Sequence, residues 1–137
     1  MNIAVRCYTR SGNTKKLAEA VAGAVEASAM DVAVPLDEKA DILFLGSSYY
    51  AFDVDNAVKE FLKSNKDNIG KIVCFGTSAM MKSMKKPITK VAKELGLTVA
   101  DEEFHSRGEF GPVHKGRPNE KDLAEITDFA KKIMACR

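Results

Sequence analysis

Thr9-Arg10-Ser11-Gly12-Asn13-Thr14 is the segment of this sequence with the clearest chemistry. It leaves a short, largely apolar run, Ile3 to Tyr8, and enters a stretch where Leu17, Ala20, Val21, Ala24 and Val25 recur at helical spacing. A row of backbone N–H groups at a helix N-terminus, with the helix dipole behind it, favours a bound anion and phosphate in particular. Gly12 permits close backbone approach, and the hydroxyls of Thr9, Ser11 and Thr14 donate without adding charge. Ser, Thr and Asn are also the residues that cap helices, so taken alone the segment reads equally as a plain helix start. No Lys stands before a Ser or Thr in a GKS or GKT context, which excludes a nucleotide-triphosphate loop of that kind.

Two further segments follow strongly apolar runs. Gly46-Ser47-Ser48-Tyr49-Tyr50-Ala51-Phe52-Asp53 follows Asp41-Ile42-Leu43-Phe44-Leu45, and Thr77-Ser78-Ala79-Met80-Met81-Lys82 follows Lys71-Ile72-Val73-Cys74-Phe75-Gly76. Tyr49, Tyr50 and Phe52 could cover the end of a sheet or seat a planar ligand, where stacking adds roughly 0.5–1.5 kcal/mol beyond area burial. The long stretch from His105 to Pro118 is basic through His105, Arg107, His114, Lys115 and Arg117. It could meet an acidic partner, a substrate anion or a cofactor edge, and long loops of this kind are often functional. Two His, with Cys7 and Cys74 inside apolar runs, give no metal-ligand spacing.

These segments need strands and helices to hold them. Ile3–Tyr8, Val32-Ala33-Val34 before Pro35, Asp41–Gly46, Lys71–Gly76 and Leu97–Phe104 read as strands. Helices read through Leu17 to Val25, through Val54, Val58, Phe61 and Leu62, and from about Met84 or Lys85 to Gly96. A last helix, capped by Asn119, carries Leu123, Ile126, Ala130, Ile133 and Met134 on its apolar side. Runs such as Ile42–Leu45, apolar at every position, are covered on both faces. Alternation of this kind predicts a doubly wound α/β domain, three layers with five parallel strands. Ligands then bind beyond the carboxyl ends of the strands, where strand order reverses.

Composition agrees with one soluble globular domain over residues 1–137. The chain is 45% hydrophobic and 29% charged, with nine Gly, four Pro and three Cys, which excludes collagen-like, disordered and disulfide-scaffold classes. No apolar run approaches the ~20 residues that cross a bilayer, and the start lacks a secretion signal. The expectation is a reducing cytoplasm without disulfides, and no membrane role. Net charge is +2 overall, with residues 1–68 at 8 basic against 10 acidic and residues 69–137 at 13 against 9. Much of the excess is Lys82, Lys85, Lys86, Lys90 and Lys93, too mild a bias to indicate nucleic acid.

The segment Thr9–Thr14 resembles the phosphate loop of flavodoxins, Ser/Thr-x-Ser/Thr-Gly-Asn-Thr, at all five specified positions. The resemblance covers essentially the whole chain. The tail from Phe104 to Leu123 also resembles a subgroup of small bacterial flavodoxin-family proteins. It implies a flavodoxin-like α/β/α fold with strand order 2-1-3-4-5 and FMN at the switch point. On that resemblance Thr9, Ser11, Asn13 and Thr14, with the N–H groups of Arg10 to Thr14 including Gly12, would hold the FMN phosphate. Ser47, Ser48, Tyr49, Tyr50 and Ala51 correspond to the first flavin loop, with Tyr50 where a ring commonly stacks on the isoalloxazine. Thr77, Ser78 and Ala79 correspond to the second.

Three departures stand out. The second loop lacks the family's usual Tyr, with Met80, Met81 or Lys82 in its place. Its expected acid is also absent, and Lys82, Lys85 and Lys86 follow, so the surroundings would favour a reduced anionic flavin and a less negative potential. Ala51 stands where the family usually has Gly, and a peptide that turns to positive φ is costly there. Receiver domains and small tyrosine phosphatases share the topology, but the acids of the first and the Cys-to-Arg spacing of the second are missing. The resemblance implies an FMN-binding electron carrier between a reductase and an acceptor; the expected partners are redox proteins, for which the chain's basic residues suggest an acidic docking surface, and the expected state is a monomer or weak dimer. The alternatives are a flavin-free regulatory or interaction module and an FMN-dependent reductase of a small substrate.

Overall fold

A computed structural model of the chain describes residues 2–8, 12–48, 56–77, 85–106 and 118–135. Its strands are β1 (Ile3–Cys7), β2 (Ala29–Asp31), β3 (Ala40–Ser48), β4 (Ile69–Thr77) and β5 (Thr98–Ser106). Helices α1 (Asn13–Val25), α2 (Asn56–Asn65), α3 (Lys85–Leu95) and α4 (Glu120–Ala135) alternate with them. The strands form one parallel sheet in the order β2-β1-β3-β4-β5.

Period-two alternation sends side chains of each central strand to both faces. Val5, Cys7, Phe44, Val73 and Phe75 meet Leu17 and Val21 of α1 and Ile126 and Ala130 of α4. Leu43, Leu45, Ile72 and Cys74 meet Val58, Phe61 and Leu62 of α2 and Ile88 and Ala92 of α3. Both faces are therefore dry, which is why β3 and β4 are apolar at successive positions.

Helix ends follow local chemistry. Pro87 falls in the first turn of α3, where its missing N–H has no intrahelical role, and Gly96, at φ 74, closes that helix. At α4, Asn119 Oδ1 accepts from the Asp122 N–H at 3.1 Å while Asp122 Oδ2 accepts from the Asn119 N–H at 2.8 Å, a reciprocal capping box.

The second strand corrects the sequence reading. Val32-Ala33-Val34 is not extended; β2 is the preceding Ala29–Asp31, paired with Val5, Arg6 and Cys7. Asp31 turns the chain, its Oδ1 accepting from the Ala33 N–H at 2.8 Å and its carbonyl from the Val34 N–H at 3.0 Å. Val32 is buried under the sheet end while Val34 is exposed, so β-branching marked a turn with one anchored side chain.

β2 and β3 lie on opposite sides of β1, so residues 32–39 must cross over β1. They do so as a short loop without a helix. Arg6 lies beneath it, only 7% exposed. Its Nε donates to the Val34 carbonyl at 2.9 Å, one terminal nitrogen to Pro35 at 3.1 Å and the other to Val5 at 3.1 Å. Burial lowers the guanidinium pKa, and Asp37 opposes that shift. A planar fork of donors thus ties down a crossover that has no helix to bury.

The last strand also runs further than expected. β5 extends to Ser106, pairing Gly76 with His105 and Thr77 with Ser106, so His105 belongs to the strand and not to the loop assigned to His105–Pro118. A bulge precedes it: Ile72 pairs with Val99 and Cys74 with Glu103, which leaves Ala100, Asp101 and Glu102 opposite Val73. The sequence reading carried the strand through the bulge and stopped at Phe104, two residues short of its end.

Candidate functional site

The chain leaves β1 toward β2 on one side and leaves β3 toward β4 on the other, so strand order reverses between β1 and β3. The carboxyl ends of these two strands are joined where they part: the Tyr8 N–H donates to the Gly46 carbonyl at 3.0 Å. Gly12 caps α1 at φ 87, a left-handed conformation open to glycine, and its carbonyl accepts the Lys16 N–H at 3.3 Å. The helix is then clamped to β3. Thr14, fully buried, donates from Oγ1 to the Ser47 carbonyl at 3.5 Å, and Ser47 is itself 1% exposed.

Gly46 makes this clamp possible. A Cβ there would stand 2.5 Å from Phe75 Cζ and 3.0 Å from the Thr14 methyl. Only the absence of a side chain lets the α1 start approach the ends of β3 and β4 this closely.

Among the described residues, the helix starts at this edge carry basic and no acidic side chains. Helices in such a layered fold run against the strands, so their N-termini gather at the carboxyl edge of the sheet. The first turns of α1, α2 and α3 hold no acidic residue. Lys15 and Lys16 stand exposed near the start of α1, and Lys86 near that of α3. The helix dipoles and these lysines each contribute positive potential there, which suits an anionic ligand.

Of the residues expected at a site, Gly12, Asn13 and Thr14 open α1, Ser47 and Ser48 end β3, and Thr77 ends β4, paired with Ser48. They are brought to one edge. Thr9, Arg10, Ser11, Tyr49, Tyr50, Ala51, Ser78 and Ala79 lie outside the described residues, as do Arg107, His114, Lys115 and Arg117. Sequence reasoning set Gly46 at the head of the segment Gly46–Asp53 but missed its packing role and missed Phe75, because nothing local shows which ring a glycine faces across the sheet.

Cys7, just before the edge, is 5% exposed, and burial with Asp31 nearby pushes its thiol up to about 11. It is a neutral core side chain and no nucleophile. Among the described residues no group of three or more His, Cys, Asp or Glu could hold a metal ion, and no helix is long and apolar enough to cross a membrane. An open groove of about 300 Å³, lined by Asn2, Arg6, Glu26, Ser28 and Lys39 among others, lies by the amino ends of β1, β2 and β3, away from this edge.

No family model matches the chain. An uncharacterized protein of Methanocaldococcus jannaschii is 27% identical over 135 residues, which cover 89% of this chain and 90% of that protein. A flavodoxin from the domain Archaea superimposes with a TM-score of 0.80 at 22% identity, over 98% of this chain and 97% of that one. The chain has the flavodoxin fold. A Lactobacillus acidophilus flavoprotein, solved in complex with FMN, superimposes with a TM-score of 0.64 at 18% identity, over 77% of this chain and 92% of its own. In the flavodoxin fold the β1/β3 switch point is where the ligand crevice opens. In this chain Gly12, Thr14, Gly46 and Ser47 lie at that switch point.

Proposed function

We propose that this chain binds FMN at the carboxyl edge of its sheet and carries electrons between a reductase and an acceptor protein. The observation that carries this reading is the α1 start: a glycine at φ 87 opens a helix with no acid in its first turn, clamped by Thr14 to the end of β3. The site fits a phosphate ester. Among the described residues a Cβ on Gly12 would meet nothing within 4 Å beyond its chain neighbours, so the turn needs glycine for its conformation and leaves open space beside it.

The roles follow from position. Backbone N–H groups from Arg10 to Thr14 and the hydroxyls of Thr9 and Ser11 would bind the phosphate, with the α1 dipole behind them. Ser48 and Tyr49 would offer backbone groups to the ring and ribityl chain, and Tyr50 a stacking face. Thr77, Ser78 and Ala79 would border the ring's other side. FMN supplies the electron chemistry when bound; the chain binds, orients and tunes it.

The visible spectrum of the purified protein, before and after added FMN, tests this. Flavin bands that survive desalting, with quenched flavin fluorescence, are expected. A colourless protein that neither retains nor quenches FMN would overturn the reading.

A further inference from the structure

Helix α3 is charged against the usual rule. Acidic residues favour a helix N-terminus and basic ones its C-terminus, yet α3 begins Lys85-Lys86 with no acid in its first turn. Lys86, Lys90 and Lys93 are exposed and fall at i, i+4 and i+7, a single stripe opposite buried Ile88 and Ala92. Like charges at that spacing repel. Among the described residues none of the three forms an ion pair, and the helix carries a single acid, Glu94, against its lysines. Helix α4, on the other face of the sheet, is balanced in contrast, with four carboxylates against three lysines.

Local rules broken without an internal gain mark functional surfaces. The stripe starts at the carboxyl edge of the sheet, directly after the segment that follows β4, and runs down from it. We infer that the α3 stripe is the docking surface for the acidic face of an electron-transfer protein, seated so that its partner covers the edge where FMN is proposed to bind. The inference rests on the FMN reading for its purpose, though not for its chemistry. Positive potential at the rim steers an acidic partner and fixes its orientation more than it adds affinity. The interaction is correspondingly salt-sensitive, since the Debye length is about 8 Å at physiological ionic strength.

Amide NMR titration of the ¹⁵N-labelled, FMN-treated protein with a strongly acidic [2Fe–2S] ferredoxin as probe tests this. At low ionic strength the perturbed amides should cluster on α3 and the carboxyl edge of the sheet, and leave the C-terminal halves of α1 and α4 unmoved. Replacing Lys86, Lys90 and Lys93 together by Gln should weaken association at least tenfold, with far-UV circular dichroism unchanged, and 0.5 M salt should do the same to the parent. A basic cytochrome c should bind more weakly than the ferredoxin and gain from the triple change. Perturbations centred elsewhere, no binding at low salt, or equal binding by a folded triple variant would overturn the proposal. Tighter binding to a random single-stranded RNA would overturn it too, assigning the stripe to nucleic acid. The titration does not need flavin: failure to retain FMN shows in the visible spectrum and sinks the electron-carrier reading separately.

Discussion

Gly46 and Phe75 are paired across β3 and β4 so closely that a methyl group on Gly46 would stand 2.5 Å from the ring's Cζ. Thr14 closes the same space from α1, with its methyl 3.0 Å from that point. Three elements distant in sequence therefore meet at one missing side chain, and the helix that opens toward the proposed phosphate rests on it.

Gly46→Ala tests this arrangement. Phe75 is buried and cannot swing outward, so the added methyl overpacks the junction at a cost of about 1–3 kcal/mol. The urea midpoint should fall by that cost divided by the m-value, and FMN affinity should fall with it as α1 is displaced. Gly46→Ala combined with Phe75→Leu should recover part of both. An unchanged midpoint for the single variant would show that the junction is looser than the distances imply.

Gly12→Ala separates backbone from packing. Among the described residues no atom beyond the chain neighbours lies within 4 Å of the new Cβ, so the cost is that of holding Ala at φ 87, about 1–2 kcal/mol. Gly12→Asn should cost less, because Asn tolerates the left-handed region better. Denaturation curves in urea for the two variants should rank in that order, and FMN titration should rank the same way if the turn shapes the phosphate seat.

Much of this architecture was readable from residue order. Ile42–Leu45 of β3 and Ile72–Phe75 of β4 are apolar at every position because both faces are covered, and Pro87 and Gly96 bracket α3 by their own backbone limits. The errors fell where tertiary pairing outweighed local preference. Val32 and Val34 look like strand residues, but Asp31 bonds the Ala33 N–H and turns the chain first. His105 looked like loop because the apolar run ends at Phe104, and only pairing with Gly76 keeps the strand going. Gly12 announced itself through its neighbours. Gly46 did not, since no local pattern says which ring a glycine will face across a sheet.

Arg6 offers a different test, because the crossover of residues 32–39 hangs on its fork of donors. Lys at this position has one charged nitrogen and cannot span the Val34 and Pro35 carbonyls together. Arg6→Lys should therefore cost about 1–3 kcal/mol, the range for leaving buried polar groups unsatisfied. Hydrogen exchange should show the loss locally, with faster exchange for amides of residues 32–39 and unchanged protection in β4. Uniform loss across the sheet would instead make Arg6 a global core residue.

Cys7 sets how stability responds to alkaline pH. Its thiol is raised in the folded protein from an ordinary value of 9.0 to about 11, chiefly by burial and then by Asp31. The folded state therefore favours the protonated thiol, and its contribution is fully present below about pH 9. Between 9 and 11 the unfolded chain ionises this group while the folded chain holds its proton, so the contribution falls as pH rises. Urea midpoints measured from pH 7 to 10.5 should decline more steeply in the parent than in Cys7→Ala, with the two curves converging toward high pH. The same burial should keep the Cys7 peptide unmodified by iodoacetamide at pH 8 in the folded protein and fully modified in urea. Parallel pH curves for parent and variant would place the alkaline loss on other groups.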